Sequence, residues 1–118
     1  MPRFHHLWIV EAELEIRNPA ADREKRCERM FDALARYASD ETSPYPSQVA
    51  STDDGWLELT FPVWAPSQWA AVAAGATVLS ETCARSDVHA GVVRLAAAES
   101  SDQLKTYRDR VREMETAT

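Results

Sequence analysis

Hydrophobic and polar residues alternate along residues 7–16. Trp8, Val10, Ala12, Leu14 and Ile16 fall on one side of a period of two, and Leu7, Ile9, Glu11, Glu13 and Glu15 fall on the other. Side chains leave a strand on alternate faces, so this run predicts a long β-strand. One of its faces is apolar throughout and has to be covered. The other is apolar at its start and acidic at its end, which predicts partial cover. A second such run spans residues 56–64, with Leu57, Leu59, Phe61 and Val63 on one face and Trp56, Glu58, Thr60 and Trp64 on the other.

Between these strands the period changes. Asn18-Pro19 suits a helix start, because asparagine caps well and proline fits the first helical position. Cys27, Met30, Phe31, Leu34, Ala35 and Ala38 then recur at helical spacing. They predict an amphipathic helix over 19–38, with Arg23, Lys25, Arg26, Glu28, Arg29, Asp32 and Arg36 outward. Phe31 and Leu59 are expected to meet in the core between helix and sheet. Residues 39–46 hold two prolines and no period, and read as a loop. Residues 48–52 form a short strand, and Asp53-Asp54-Gly55 is a hairpin signal in which Gly55 takes positive φ.

Pro66 and Ser67 open a second helix whose inward stripe reads Trp69, Val72, Ala73, Ala76, Leu79 and Cys83. Its many small residues, Gly75 among them, predict close approach to a neighbour. Residues 88–97 form the last strand. Ser100, Ser101 and Asp102 begin a final helix over 101–115, with Leu104, Tyr107, Val111 and Met114 as its apolar stripe.

The order is strand, helix, strand, strand, helix, strand, helix. Its first six elements resemble the ferredoxin-like βαββαβ sandwich: an antiparallel sheet, two helices on one face, and here an extra C-terminal helix. Right-handed crossovers would order the strands four, one, three, two, with the two strongest patterns at the centre. The reading is of a single α+β domain over 1–118, with its core at 7–97. The fold hosts many unrelated activities and implies none.

A chain of 118 residues can bury enough surface to build a core without metals or disulfides. Its net charge of −6 disfavours non-specific binding to nucleic acid and to anionic membranes. No apolar run approaches the ~20 residues of a membrane span. Residues 1–6 carry no signal-peptide core. Cys27 and Cys83 are far apart and lie on the inner stripes of the two helices, where a free thiol behaves as a small hydrophobe. A cytoplasmic location is the expectation. Arginine far outnumbers lysine and alanine is abundant, which suggests a high-GC bacterial or phage genome.

The candidate chemistry is sparse. His5 and His6 are neighbours on a strand and point to opposite faces, and His89 is distant in sequence, so no metal site is expected. Cys83 sits at a helix C-terminus, the wrong end to activate a thiolate. The chain has no glycine-rich phosphate loop, serine-histidine-aspartate arrangement or nucleotide fingerprint, and no cofactor is expected. Glu11, Glu13, Glu15 and Glu58 could serve as acids or ligands, but their regular alternation reads more simply as the wetted face of a sheet. Trp56 and Trp64 could stack bases, yet the face between them is acidic, which opposes RNA.

What remains is that face. Leu7, Ile9 and Trp64 form an apolar corner, and Glu11, Glu13, Glu15 and Trp56 continue it. The final helix is expected to cover it, within the subunit or in a dimer, bringing Tyr107, Arg108 and Arg112 against it. The mixture of tryptophan, aliphatic and charged groups suits a protein-contact surface. The sequence therefore points to a non-enzymatic interaction or regulatory module, a homodimer, of the kind a phage or bacterium uses to bind and modulate a host protein. The alternative is a small-molecule enzyme or binding protein of the dimeric α+β barrel kind, with Trp56, Trp64, Tyr107 and a histidine lining an enclosed pocket.

Overall fold

The computed structural model describes residues 6–17, 23–38, 47–51 and 56–116. The expected cap at Asn18-Pro19 and the turn at Gly55 lie outside them. In chain order the elements are β1 (His6–Ile16), α1 (Arg23–Ala38), β2 (Gln48–Ser51), β3 (Trp56–Ala65), α2 (Gln68–Ser86), β4 (Ala90–Ala98) and α3 (Ser101–Thr116). The result is an α+β fold with one four-stranded antiparallel sheet and, among the described residues, three helices.

The strands lie in the order β2-β3-β1-β4, which is four, one, three, two when read from the β4 edge. β1 pairs antiparallel with β3 on one side and β4 on the other, with Val10 opposite both Phe61 and Ala97. The alternating faces of β1 and β3 then become the two faces of the sheet. Trp8, Val10, Ala12, Leu14, Leu57, Leu59, Phe61 and Val63 point to one side, and all are buried there against α1 and α2. The indole Nε1 of Trp8 donates to the carbonyl of Ala65 at 3.0 Å, so even the polar atom of this face is satisfied.

The two covering helices are turned relative to their predicted stripes. In α1 the inward line is Arg26, Met30, Ala33 and Leu34, and Arg26 is only 6% exposed. Phe31, expected in the core opposite Leu59, is 45% exposed and lies beside Cys27 and Val49 at the rim of the sheet. Leu59 is buried as expected. The helix has apolar groups on more than its inner line, and packing seats Met30 and Leu34 centrally, with the bulkier ring left at the edge strand.

In α2 the buried line is Ala71, Gly75, Leu79, Thr82 and Ser86, and Trp69 is 84% exposed. The reason is distance. A Cβ built on Gly75 would stand 2.9 Å from Cγ1 of Val10. The helix approaches β1 so closely that only its smallest side chains fit between them, and an inward Trp69 would hold it away. α2 begins at Ser67, whose hydroxyl accepts from the Ala70 N–H at 3.2 Å. It ends at Asp87 in the left-handed region, at φ 54° and ψ 42°, a conformation that aspartate tolerates better than most residues.

α3 crosses to the other face. Ser100 caps it, accepting from the Gln103 N–H at 3.3 Å, while the Gln103 side chain accepts from the Glu99 N–H at 3.0 Å. That reciprocal arrangement fixes the angle at which the chain leaves β4. Among the described residues, no helix is long and apolar enough to cross a membrane.

Candidate functional site

The open face of the sheet is built by the odd-numbered residues of β1 and their neighbours. Ile9 lies opposite Ala98, Glu11 opposite Ala96, and Glu13 opposite Arg94 on one side and Glu58 on the other. Between Glu13 and Leu14 the β1–β4 register shifts, because β4 carries one extra residue there, Val93. Such a bulge leaves a residue unpaired and re-aims its neighbours. Here Val93 and Arg94 both end up lining the open face.

α3 covers the apolar end of this face. Leu104 packs on Ile9 and Ala98, and all three are buried, with Ala96 and Tyr107 partly buried around them. The side-chain amide of Gln68, at the start of α2, donates to the Ala97 carbonyl at 2.8 Å and to the Tyr107 hydroxyl at 3.3 Å. It ties the helix layer of one face to the helix of the other.

Beyond Tyr107 the cover becomes ionic. Nη2 of Arg94 donates to Oε1 of Glu13 at 2.9 Å and also to Oε1 of Glu11, and Nε of Arg108 stands 3.5 Å from the same Glu11 oxygen. Glu11 is buried, and the Arg94 side chain is 17% exposed. Burial alone would lower the affinity of Arg94 for its proton. Its hydrogen bonds to Glu11 and Glu13, and their charges, outweigh that effect and hold its pKa above the ordinary arginine value. Arg94 also relieves the repulsion between Glu13 and Glu58, two like charges directly opposite on paired strands.

Past this cluster the helix leaves the sheet. Along one stripe, exposure rises from 3% at Leu104 to 40% at Val111 and 71% at Met114. A wedge of about 540 Å³ opens between the C-terminal half of α3 and the sheet. Trp56, Val93 and Val111 supply its apolar walls, and Glu13, Arg94, Arg108 and Arg112 its polar ones.

The face expected from the sequence is thereby divided. Ile9, Glu11, Glu13, Tyr107 and Arg108 come together beneath α3, while Trp56 and Arg112 line the wedge. Leu7 and Trp64 pair at the far end, with Leu7 half-buried and Trp64 exposed, and Glu15 is exposed at the other end. Arg94, Val93 and Gln68 are absent from the sequence-derived set. Arg94 had a legible signal, since it is the only charge in the nine residues of β4, in a strand that must pair with an acidic one. Val93 had none, because a bulge is invisible in the hydrophobic pattern.

Elsewhere the groups suited to chemistry are poorly placed for it. A cavity of about 610 Å³ at the end of α2 is lined by Cys83, Asp87 and His89 among others. Burial pushes the Cys83 thiol above its ordinary pKa, which keeps it a thiol at neutral pH. The Cys27 thiol is also raised by burial, against a smaller lowering effect of Arg26. His89 and Asp87 stand 3.5 Å apart, both largely in solvent. Both cysteines are free, and among the described residues no three histidine, cysteine, aspartate or glutamate side chains converge as a metal site would need. No protein-family model, curated protein or solved structure matches this chain.

Proposed function

We propose that this chain is a non-enzymatic protein-interaction or regulatory module that engages another protein through the open face of its sheet. The observation that carries the reading is the wedge. It joins an apolar floor of Trp56 and Val93 to a helix edge bearing Val111, Met114 and Arg112, a composition typical of contact surfaces. The scaffold behind it is a ferredoxin-like βαββαβ core. Supporting this are the four-one-three-two strand order, the antiparallel pairing throughout, and two helices packed on one face. The acidic net charge and the exposed Glu15 and Glu58 turn the surface away from nucleic acids and anionic membranes. A cytoplasmic bacterial or phage accessory protein that modulates a host protein suits these properties, with its two free thiols in keeping with a reducing compartment.

A small-molecule enzyme or binding protein of the dimeric α+β barrel kind is the second reading. The volume of the wedge favours it, since it lies within the usual range of ligand pockets. It ranks second because three of the four polar groups that line the wedge, Glu13, Arg94 and Arg108, are already engaged in the ion cluster around Glu11.

The deciding experiment is affinity capture from source cells with the parent chain and with Val111→Glu, read by mass spectrometry. Under the leading reading, a stoichiometric protein is recovered by the parent and lost with the variant. Recovery of the same proteins by both, or of none, would count against it.

A further inference from the structure

The two edges of the sheet are guarded differently. β2, at one edge, is four residues long and begins and ends in polar side chains. β4, at the other, is nine residues long and holds no proline and a single charge. That charge, Arg94, is drawn to Glu11 and Glu13 of β1, so it does not protect the outer side. An edge strand turns every second N–H and C=O pair outward. Folded proteins blunt such an edge by shortness, lysine, proline, a bulge or a covering segment. β4 has the bulge at Val93 and, among the described residues, no further strand beyond it.

The side chains here are as open as the backbone. Val92 lies opposite Leu14, on the face that α1 and α2 cover, yet Leu14 is buried and Val92 is 55% exposed. At this level the helix layer stops short of the edge. On the other face Val93 is 47% exposed. Apolar surface therefore runs out to the edge on both sides of the sheet, at the same point along it.

We propose that β4 pairs antiparallel with β4 of a second copy of this chain, near Val92 and Val93, joining the two sheets into one with four strands from each copy.

A second copy is the occupant that fits. A strand paired with itself about a two-fold makes every contact twice, so the patch has to complement itself. β4 does so, because its outward backbone offers donors and acceptors together, and valines suit the pleated surface on either face. Each copy carries a net charge of −6, so two copies repel in general and meet with least penalty where charge is absent or already paired. This edge meets that condition. The bulge twists β4 locally and confines the paired run to a few residues, which makes the dimer a reversible one. Both wedges then open on the same side of the joined sheet, still free for a further partner.

The test is sedimentation equilibrium of the purified chain over a wide concentration range, with amide hydrogen exchange measured at both ends of that range. The parent should dimerise reversibly, and β4 amides should exchange more slowly at high concentration while those of β2 stay unchanged. Val92→Lys places on the edge the residue with which natural edges forbid pairing, and should raise the dissociation constant about tenfold or more. Val92→Thr keeps the branched side chain and should stay within about threefold of the parent. A melting curve of Val92→Lys matching the parent's shows that the loss is of contact and not of fold. If that variant melts early, the amide comparison on the parent still decides. A chain that stays monomeric at every concentration overturns the proposal. So does a dimer indifferent to Val92→Lys, or one whose β4 exchange does not change with concentration. A dimer that Met114→Glu abolishes and Val92→Lys spares has its contact on α3, and overturns it too.

Discussion

The two faces of the sheet are covered by different means. On the α1–α2 face, a continuous cluster from Trp8 to Ala97 excludes water, and Gly75 lets a helix come to van der Waals distance of Val10. On the α3 face, the buried apolar cluster among the described residues is Ile9, Ala98 and Leu104, and an ionic cluster of Glu11, Glu13, Arg94 and Arg108 takes over after it. Apolar burial contributes roughly in proportion to area and needs no fixed geometry. A partly buried ion cluster roughly offsets its own desolvation and is costly mainly when a partner is lost. The first face therefore holds the fold together, and the second holds one helix at a particular angle and leaves a surface free.

This contrast can be broken at four points. The largest effect is expected at Phe61, fully buried at the centre of the first face. Phe61→Ala should cost about 3–5 kcal/mol in denaturant unfolding, as a single cooperative loss. If it melts like the parent, the first face does not carry the fold.

Arg94 comes next. Arg94→Met keeps much of the volume but leaves Glu11 buried without its nearest cation. Full burial would make such a loss about 3–5 kcal/mol; with the remaining exposure of Arg94, about 2–3 kcal/mol is expected. Arg94→Lys should recover part of it, because a lysine keeps the charge without the fork that reaches two carboxylates. Equal midpoints for Arg94→Met and the parent would show that Arg108 alone suffices.

Leu104→Ala should cost about 2 kcal/mol, at the low end for a buried leucine, because α3 can release as a unit without emptying a sealed cavity. Hydrogen exchange should speed up in α3 while Val10, Phe61 and their neighbours stay protected. Uniform acceleration across both faces would mean that the two layers unfold together.

The smallest effect is expected at Gly75. Alanine is favoured over glycine in a helix by about 1 kcal/mol, but forcing a methyl against Val10 costs typically about 1–3 kcal/mol. A net loss of about 1 kcal/mol follows. A gain in midpoint would show that the approach of α2 to β1 is looser than 2.9 Å requires.

Much of the candidate site was legible. The alternation of Leu7 to Ile16 assigned each side chain of β1 to a face, and antiparallel pairing then placed Trp64 beside Leu7 and the end of β4 beside Ile9. The approach of Leu104 to that corner and of Arg108 to Glu11 follows from the same placement. Arg112 and Glu15 were expected to be drawn into the same ionic cover, and they are not, because α3 diverges after Tyr107.

By itself the sequence determined which residues share a face, because the two-residue repeat of a strand is a local property of the backbone. It also determined where the described strands and helices run, through hydrophobic period and the caps at Ser67 and Ser100. It could not determine how α1 and α2 are turned about their own axes. That depends on how near the helix comes to the sheet, and so on Val10 meeting Gly75, residues far apart in the chain. Alanine-rich α2 gives little contrast between its sides, so the bulk of Trp69 suggests the wrong one. The bulge at Val93 and the swing of α3 are decided the same way, by register and by the balance of Leu104 packing against Arg94 and Arg108 pairing. Those contacts exist only once four separate stretches of chain have met.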